Sequence, residues 1–599
     1  MTRVCDYIAD YVYKLGVEYV FMVSGGGQMF LTDGIAKHPH LKAICNHHEQ
    51  AVAMAMISYS KYTENFGAAY ITTGCGGTNT ITGVVDAWQD NVPCLFISGQ
   101  SKRKETVRNS GLKLRQFGVQ EVDIIPIVES ITKYSIMLND PNEIAYHLDK
   151  AVYLAKTGRP GPVWLDVPLD VQGAMIDENN LIRFSPDELK PDYKTTPSKE
   201  EIDLIKECIT ASERPMIVVG QGVRLAKAIP EFRELIEKFK IPVVASRLGI
   251  DVLESDCDLY IGRIGTKGDR AGNFAVQNAD LVIAIGSRLS VSSTGHEYAM
   301  FAREAKTIVV DIDPVEHKKN TVRIDDFINA DAKELLSALL KEDLKKSSEI
   351  WTNTCLNWKE KWPVYIEEYE EDSKGINMYT LVDRLSKQLK DDSIVVSDAG
   401  SAFYVVSQGI MHKGNMRYIT SGGQAEMGYT VPATIGVAVA RGFKETIGIT
   451  GDGSFQFNIQ EMQTIFHYKL PIKMFVLNND GYLSIRTTQE KFFEKRFIGT
   501  DSESGVSFPS LEKIAYAYNI CYYKIEKIKD IDRQIKEILE KEEPVLVEVI
   551  SPRDQEVKPV VSSMRKPDGT MVSKPIEDMY PFLDRQEFYD AMIVKPIQE

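Results

Sequence analysis

The sequence has no Cys-x-x-Cys pair, since its eight cysteines are scattered along the chain. That spacing offers neither a zinc site nor a disulfide framework, and it favours a reducing compartment. No apolar run approaches the roughly 18 uninterrupted residues of a membrane-spanning helix. The N-terminal segment also lacks a long apolar core before a cleavage site. We therefore expect a cytoplasmic protein without a membrane-spanning segment.

The chain also lacks a lysine- or arginine-rich run, and its net charge is −15. This balance argues against nucleic acid or an anionic membrane surface as a partner, and it favours small-molecule ligands. With 599 residues, of which 43% are hydrophobic, the chain has enough material for several cores. The length corresponds to about four domains.

Two apolar segments end in small and oxygen-bearing residues: Ile449-Thr-Gly-Asp-Gly-Ser-Phe455 and Met474-Phe-Val-Leu-Asn-Asn-Asp-Gly-Tyr482. The intervening residues 454–477 are enough for one helix and a return strand, so both strand ends can meet at one edge of a parallel sheet. Asp452 and Asn479 would then face the same ion. A carboxylate, an amide oxygen and a backbone carbonyl suit Mg²⁺, and the glycines leave room for a diphosphate.

The segment between these two strands predicts a helix. Asn458 is suited to cap the helix, and Glu461 stands at the capping-box position. The apolar face of the helix would consist of Ile459, Met462, Ile465 and Phe466.

A lone Gly-Asp-Gly usually marks a turn, but Gly-Asp-Gly with Asn-Asn at this distance resembles the signature of thiamine-diphosphate enzymes. The resemblance covers nearly the whole chain and is greatest to acetolactate synthase and its relatives among the 2-oxoacid decarboxylases and carboligases. It implies that Asp452, Asn479 and the carbonyl of Gly481 bind Mg²⁺. The cofactor-binding residues that it implies around this motif are Gly451, Gly453, Ser454, Tyr482 and Ile485.

Glu49 follows the apolar segment 41–45 and precedes an alanine- and methionine-rich helix. A glutamate at a helix N-terminus is commonly only a charge favoured by the helix dipole. The resemblance instead implies that Glu49 hydrogen-bonds N1′ of the aminopyrimidine and so promotes removal of the C2 proton. His47 and His48 beside it are more typical of packing or hydrogen bonding than of direct chemistry.

The resemblance places other residues of the first domain at the cofactor and substrate. Gln120 corresponds to a substrate-pocket glutamine, and we count it with Glu49 as a catalytic residue. Val119 stands where acetolactate synthases have phenylalanine, and Cys75 stands where relatives have proline; we assign Cys75 no catalytic role. The loops that line the cofactor would contribute Gly25, Gly26, Thr78 and Asn79.

In the middle of the chain, buried-type strands end in glycine or aspartate, which is compatible with dinucleotide binding but not diagnostic of it. The resemblance implies FAD here. Ser290 and Ser292 depart from the family, which has Asp and Arg at these positions, so an adenine nucleotide or an empty structural domain remain alternatives. The matching flavin-contacting positions are Gly265, Gly268, Arg288, Asp311 and Asp313.

The segment from Thr420 to Pro432 resembles the family's cradle for the aminopyrimidine. It implies that the carbonyl of Ala425 receives the 4′-amino group and that Met427 is the apolar wedge beneath the bent cofactor; the alternative for Met427 is a core methionine. Ile485 replaces an acidic residue of pyruvate decarboxylases, which favours carbon–carbon bond formation. Thr488 replaces a bulky tryptophan of acetolactate synthases.

We predict an α/β chain with three doubly wound parallel-sheet domains and a C-terminal tail. The ranges are 1–180 for the pyrimidine-binding domain, 198–345 for the central Rossmann-like domain, 375–555 for the diphosphate-binding domain and 556–599 for the tail. Residues 181–199 read as a linker. We expect the tail, with its segments from Lys566 and from Pro575, to cover the active-site entrance.

The predicted reaction is decarboxylation of a 2-oxoacid, such as pyruvate, and transfer of the two-carbon unit to a carbonyl acceptor. Thiamine diphosphate and Mg²⁺ would lie between the first and third domains. By resemblance these domains come from different subunits of a homodimer or homotetramer. The alternatives are transfer of an acetyl branch to a nucleotide-linked keto-sugar, a simple decarboxylase or lyase, and a non-catalytic paralogue that binds the cofactor.

Overall fold

The computed structural model describes residues 1–189, 193–371, 374–565 and 570–597. Three parallel six-stranded sheets, each flanked by helices, confirm the predicted α/β class and its three sheet domains. Part of the predicted linker and the tail segment that begins at Lys566 lie outside the described residues. In the described part, no helix is long and apolar enough to cross a membrane.

The first sheet has the spatial order 2-1-3-4-6-5 when its strands are numbered along the chain. Its central strands are fully buried and rich in apolar residues, as a parallel sheet covered on both faces requires. The strands are Tyr19–Met22, Lys42–Cys45, Gly67–Ile71, Cys94–Gln100, Tyr134–Met137 and Pro162–Pro168. The α-helices of this domain are Val4–Lys14, Met29–Lys37, Glu49–Thr63, Cys75–Asn79, Ile81–Gln89, Val107–Ser110, Ile125–Val128, Ile144–Lys156 and Leu169–Gln172.

The central sheet has the order 3-2-1-4-5-6, which is the order of dinucleotide-binding folds. Its strands are Pro215–Val219, Val243–Ala245, Tyr260–Arg263, Leu281–Ile285, Lys306–Asp311 and Asp326–Asn329. Its α-helices are Lys199–Ala211, Gln221–Leu225, Ile229–Phe239, Arg270–Gln277, Val291–Thr294 and Ala332–Leu339. The helix Glu349–Lys361 connects this domain to the third.

The third sheet repeats the order of the first, 2-1-3-4-6-5. Its strands are Ile394–Ser397, Arg417–Ile419, Thr446–Gly451, Ile472–Asn478, Cys521–Ile525 and Val545–Ile550. Its α-helices are Met378–Gln388, Gly400–Gly409, Thr430–Ala440, Asp452–Phe455, Glu461–His467, Leu483–Phe492, Leu511–Ala517 and Ile528–Leu539.

One helix from the first domain packs directly on one helix from the third. The helices Glu49–Thr63 and Thr430–Ala440 are buried along most of their length, which explains why their sequences are apolar on nearly all sides. A Cβ added at Gly436 would lie 1.9 Å from the carbonyl oxygen of Ala55, so only glycine permits this approach. Ser58 also donates its hydroxyl to the carbonyl of Ala433 at 2.9 Å.

The described part of the tail packs on the central domain. Ile576, Met579 and Phe588 belong to the apolar cluster that contains the helices Arg270–Gln277 and Glu349–Lys361. Buried polar groups fix it there, including Gln277, which donates to Glu577 at 2.6 Å. The tail also contains the short strands Val560–Val561, Ser563–Arg565, Met571–Ser573 and Met579–Tyr580 and the helix Arg585–Ala591.

Candidate functional site

The third domain brings the three predicted metal ligands together. Strand Thr446–Gly451 pairs in parallel with Ile472–Asn478, with Gly451 opposite Leu477, so the residues that follow both strands share one sheet edge. Asp452 Oδ2 accepts hydrogen bonds from the backbone N–H groups of Asn479 and Gly481, each at 3.1 Å. Its Oδ1 accepts from Gly453 N–H at 2.7 Å. The carboxylate is therefore held by three backbone amides.

The environment of Asp452 suits a cation. The side chain is buried, and burial raises the pKa of its carboxyl to about 6 although the three amides act in the opposite direction. Oδ1 retains a lone pair for a further ligand, whereas Oδ2 already accepts two hydrogen bonds. Since removing a carboxylate from water is costly without a positive partner, a bound Mg²⁺ would compensate the charge. Among the described residues, no group of three or more His, Cys, Asp or Glu side chains forms another metal site.

The glycines of this edge have separate roles. A Cβ at Gly453 would lie 2.1 Å from the ring of Tyr482, and Gly481 has a φ of +135° with its would-be Cβ 2.1 Å from the carbonyl oxygen of Thr500. Both positions are closed to any larger residue. Gly451 has no atom within 4 Å of its would-be Cβ, so a phosphate can approach the backbone there.

Two residues of this site were missed by the sequence analysis. Arg486 Nη2 donates to the carbonyl of Asn479 at 3.1 Å. It thereby supports residues 479–481, which we call the metal loop. Asp398 accepts the hydroxyl of Ser454 at 2.5 Å, and the same hydroxyl oxygen accepts from Gly428 N–H at 2.8 Å. The signal for Asp398 was its place at a strand end; Arg486 had no local signal.

The capping prediction for the intervening helix is wrong. The helix begins at Glu461, and Asn458 lies in a preceding 3₁₀ turn, where its amide donates to the carbonyl of Gly428 at 2.9 Å. The carboxylate of Glu461 accepts from Asn46 Nδ2 and from His47 N–H, both at 2.9 Å. These partners belong to the first domain, so tertiary contacts replaced the local cap.

In the first domain, Glu49 is the first residue of its helix and is largely buried. Its Oε2 accepts from Asn79 Nδ2 at 2.9 Å, which brings two predicted site residues together. Its Oε1 accepts no hydrogen bond from the described residues and remains available to a ligand. His48 caps the helix by accepting from Gln50 N–H at 3.2 Å, as the packing interpretation of this histidine requires.

The other predicted cofactor-binding residues of the first domain have different surroundings. Gly25 packs against Thr72, whereas no atom lies within 4 Å of a would-be Cβ on Gly26. Thr78 lies in the short helix with Asn79 and donates to the carbonyl of Cys75 at 3.2 Å.

Gln120 is held in the left-handed region at φ +57°. Its carbonyl oxygen lies 2.0 Å from the place of a would-be Cβ on Gly74, so that glycine permits the approach of the Gln120 loop. The side chains of Val119 and Gln120 are exposed.

The predicted pyrimidine cradle is a tight turn. Ala425 has a φ of +52° and donates its N–H to the carbonyl of Ser421 at 3.0 Å. The carboxylate of Asp90 accepts from Gly422 and Gly423 N–H, each at 2.8 Å. Met427 is half-buried rather than part of the core, which agrees with a residue that contacts a ligand.

Two predicted residues lie on the helix that follows the metal loop. Ile485 is 51% exposed, so its apolar side chain is available to a ligand or a second subunit. Thr488 is also exposed, and its hydroxyl donates to the carbonyl of Ser484 at 3.0 Å.

The two halves of the site are separate within one chain. Among the described residues, no hydrogen bond or ion pair joins Glu49 to Asp452, Asn479 or Gly481. Contacts between these domains lie elsewhere, among them those of Glu461 with Asn46 and His47, of Ser58 with Ala433, and of Asp90 with Gly422 and Gly423.

A cleft of about 200 Å³ lies where the three domains meet, and we call it the three-domain cleft. Arg288 and Asp311, two of the predicted flavin contacts, line it. Gly265 and Gly268 do not: would-be Cβ atoms there would meet the carbonyls of Ser292 at 2.1 Å and Arg263 at 2.4 Å. The cleft is bounded by residues 89–91, 158–160, 221–222, 225–226, 246–248, 286–290, 292–293, 310–312, 330–332 and 422–423 together with Lys156.

Asp313 is not among the residues that line the three-domain cleft. It forms an ion pair with Arg159 at 2.9 Å, and Arg159 also pairs with Glu316 at 2.6 Å. Burial disfavours the charge of Asp313, but the hydrogen bonds from Arg159 and from the backbone N–H groups of Val315 and Glu316, together with the charge of Arg159, keep the pKa of the carboxyl below its ordinary value. Asp313 therefore holds the first and central domains together.

Comparison with known proteins agrees with this architecture. Three thiamine pyrophosphate enzyme models match the chain: the N-terminal binding domain at residues 2–134, the central domain at 202–339 and the C-terminal binding domain at 398–549. The acetolactate synthase large subunit of Lactococcus lactis is 32% identical over 92% of both chains. The large subunit of acetolactate synthase isozyme 2 of Escherichia coli is 31% identical, over 94% of this chain and 97% of its own. With its sheet order and its conserved domain order, the chain thus belongs to the thiamine pyrophosphate enzymes.

Proposed function

We propose that this enzyme decarboxylates pyruvate and joins the resulting two-carbon unit to a carbonyl acceptor, as the names of its acetolactate synthase relatives indicate. The observation that carries the proposal is the buried carboxylate of Asp452, fixed by the amides of Asn479 and Gly481 at an edge open beside Gly451. This arrangement suits Mg²⁺ with a diphosphate and has no other evident use.

Asp452, the side chain of Asn479 and the carbonyl of Gly481 would supply the protein ligands of Mg²⁺, and the metal would retain its other positions for phosphate and water. Arg486 holds the carbonyl of Asn479 and so restricts the movement of the loop. Ser454 and Asp398 tie the same edge to the start of the neighbouring helix. The protein thereby orients the diphosphate before any chemistry occurs.

Glu49 would hold and move a proton at N1′ of the aminopyrimidine. Thiamine diphosphate, when bound, supplies the electron sink that makes loss of CO₂ from a 2-oxoacid accessible. Asn79 orients the carboxylate through Oε2, and Oε1 is the oxygen left for the ring nitrogen. Largely buried surroundings exclude water from this hydrogen bond and strengthen it.

Glu49 and Asp452 lie on different domains without a hydrogen bond between their clusters, so we propose that two chains combine to complete each site. A homodimer meets this requirement, and a homotetramer would contain two such dimers. Exposed apolar side chains on both domains would be covered on association, among them Phe117 and Val119 on the first and Phe457 and Ile485 on the third.

We propose FAD, the nucleotide that the family resemblance of the sequence implies, for the three-domain cleft, and the Rossmann strand order supports a dinucleotide there. Gly222 and Gly286 pack against each other so closely that a Cβ on Gly222 would come within 2.5 Å, and both residues line the cleft. Arg288 and Asp311 would contact the ligand, whereas Gly265, Gly268 and Asp313 would support the surrounding loops. We place the enzyme in the cytoplasm, because all eight cysteines are free.

The test is incubation of the purified chain with ¹³C-labelled pyruvate, thiamine diphosphate, Mg²⁺ and FAD. We expect labelled CO₂ and a carboligated product such as acetolactate. Acetaldehyde as the sole organic product would replace the proposal with a simple decarboxylase, and no consumption of pyruvate would refute the substrate. FAD is tested separately. A reaction without FAD shows whether turnover requires it, and absorbance shows whether the chain binds it.

A further inference from the structure

The turn that forms the predicted pyrimidine cradle is held by charged residues of the first domain. It comprises residues 420–427, which we call the cradle turn. Lys61 Nζ donates to the carbonyl of Thr420 at 3.0 Å. Asp90 accepts from two backbone N–H groups of the turn, each at 2.8 Å. The first domain of the same chain therefore fixes the beginning of the cradle turn.

These contacts belong to a cluster of buried charges. Lys61 forms ion pairs with Asp90 at 2.7 Å and with Asp86 at 3.3 Å, and all three side chains are buried. Glu426, near the end of the cradle turn, is the third carboxyl of the cluster, since its charge acts on Asp86. Three carboxyls thus share one ammonium. If all three were ionised, two negative charges would lack a cation in a buried site, which is costly.

Glu426 is the carboxyl of this cluster that lacks a cation. Its Oε2 accepts the hydroxyl of Ser421, whereas its Oε1 is buried and has no hydrogen-bond partner among the described residues. In that part of the chain, no lysine or arginine forms an ion pair with Glu426. Burial raises the pKa of the Glu426 carboxyl to about 7, although the Ser421 hydroxyl and the charge of Lys61 act in the opposite direction.

The other titratable groups around Glu426 are the members of the cluster and Tyr429. Asp90 accepts from Lys61 and from two backbone amides, so its charge is compensated. Burial and the charges of Glu426 and Asp90 raise the pKa of Asp86 well above its ordinary value, but Lys61 donates to both of its oxygens. Burial also raises the pKa of Tyr429, which therefore stays neutral. Of the three carboxyls, Glu426 gains most from a proton.

We propose that Glu426 positions the cradle turn as a neutral acid, and that its ionisation weakens the binding of thiamine diphosphate. The inference rests on the proposed cofactor site, in which the family resemblance assigns the carbonyl of Ala425 to the 4′-amino group and Met427 to the underside of the cofactor. Both residues flank Glu426 in the chain. An ionised Glu426 is repelled by the two aspartates that hold the beginning of the turn, so its displacement moves both contacts with the aminopyrimidine.

The experiment measures the affinity of the full chain for thiamine diphosphate against pH, by calorimetry at saturating Mg²⁺. If only neutral Glu426 permits binding, the competent fraction falls about tenfold between about pH 6 and about pH 8, and the apparent affinity of the wild type falls with it. Glu426→Gln is permanently neutral and keeps the shape, so it should bind at pH 8 about tenfold more tightly than the wild type. Other groups that titrate in this range, including the diphosphate, affect both proteins alike.

Ser421→Ala gives an independent readout. It removes the hydroxyl that favours the ionised carboxylate, so the decline in affinity should begin at a higher pH than in the wild type. A residue that only fills space at position 426 would produce neither the shift in Ser421→Ala nor the loss of pH dependence in Glu426→Gln.

Glu445→Gln is the matched control, because Glu445 pairs with Lys390 just before the strand Thr446–Gly451, at the opposite end from Asp452. It should reproduce the wild-type pH profile, and circular dichroism should show that every variant is folded. An affinity ratio of Glu426→Gln to wild type that is constant with pH, weak binding by Glu426→Gln at every pH, or an unshifted decline in Ser421→Ala would overturn the proposal. These readouts need no turnover, so failure of the pyruvate reaction remains distinguishable from failure of this inference.

Discussion

The first and third domains have the same strand order, but their sheet edges prepare different chemistry. In the third domain, three backbone amides hold both oxygens of Asp452. In the first, one side-chain amide holds Oε2 of Glu49, and Oε1 is left without a described partner. A rigid acid suits an ion of fixed geometry, whereas a partly free acid suits proton exchange with a ring nitrogen. The shared strand order therefore places each carboxylate at a sheet edge, and the hydrogen-bond donors around the carboxylate determine its role.

We expect the largest effect from removing Asp452, the carboxylate that three backbone amides hold. Asp452→Ala should lower the Mg²⁺-dependent affinity for thiamine diphosphate by at least about 10²-fold, because it deletes the only charged ligand and outer partners alone are worth 10–100-fold. Calorimetry with and without Mg²⁺ measures this loss. The exposed neighbour in Asp480→Asn is the control and should bind like the wild type, since asparagine tolerates the φ of 56° at this position. Equal affinities for the two variants would refute the metal assignment.

The next test addresses the partly free acid. Glu49→Gln keeps the shape and the contact with Asn79 but removes the proton-sharing group, so we expect turnover to fall by about 10² or more while cofactor affinity is largely kept. Proton exchange at C2, followed by NMR, should slow in parallel. The surface variant Glu129→Gln serves as the control. C2 proton exchange at the wild-type rate in Glu49→Gln would show that Glu49 does not act in proton transfer as proposed.

We expect a smaller effect from replacing Arg486, which supports the metal loop. Arg486→Gln removes the hydrogen bond to the Asn479 carbonyl, and we expect Mg²⁺ affinity to fall about 10-fold with thiamine diphosphate at saturation. Excess Mg²⁺ should restore turnover, which a loss of folding would not allow. Arg496→Gln, in a solvent-exposed ion pair, should have no effect.

The smallest effect concerns the outer edge of the site. Thr488→Trp should fill space beside the helix Leu483–Phe492, so we expect it to slow reaction with large acceptors severalfold, by less than about tenfold, while acetolactate formation is spared. Ratios of kcat/KM for pyruvate and for bulkier carbonyl acceptors measure the change. Thr488→Val, which preserves volume, is the control. An equal loss for all acceptors would indicate disturbance of the loop rather than a change in pocket volume.

The sequence was informative where a function depends on neighbours along the chain. Gly-Asp-Gly and Asn-Asn each follow a buried apolar strand, so Asp452 and Asn479 could be paired without knowing the rest of the fold. The capping prediction for Glu461 was wrong for the opposite reason. The local pattern around Glu461 is typical of a helix cap, but its partners Asn46 and His47 are distant in sequence. Arg486 was missed although it closely follows Asn479 along the chain, because its side chain turns back from the following helix to the carbonyl and no motif marks this contact.

The central domain shows the same limit. Arg288 and Asp311 follow strands and could be placed at the cleft, whereas Gly265 and Gly268 match the family pattern but pack against backbone carbonyls. A glycine needed for tight packing and a glycine needed for ligand approach look identical in a sequence. Only the atom that a Cβ would meet distinguishes them.

The contact at Gly436 has a mechanical consequence. Because the carbonyl of Ala55 occupies the space of a side chain there, backbone atoms alone set the distance between the helices Glu49–Thr63 and Thr430–Ala440. The contact therefore sets a minimum distance between the two domains at this point. A residue larger than glycine at position 436 would act as a spacer, shifting each domain as a rigid body while every local hydrogen bond around Asp452 and Glu49 stayed intact.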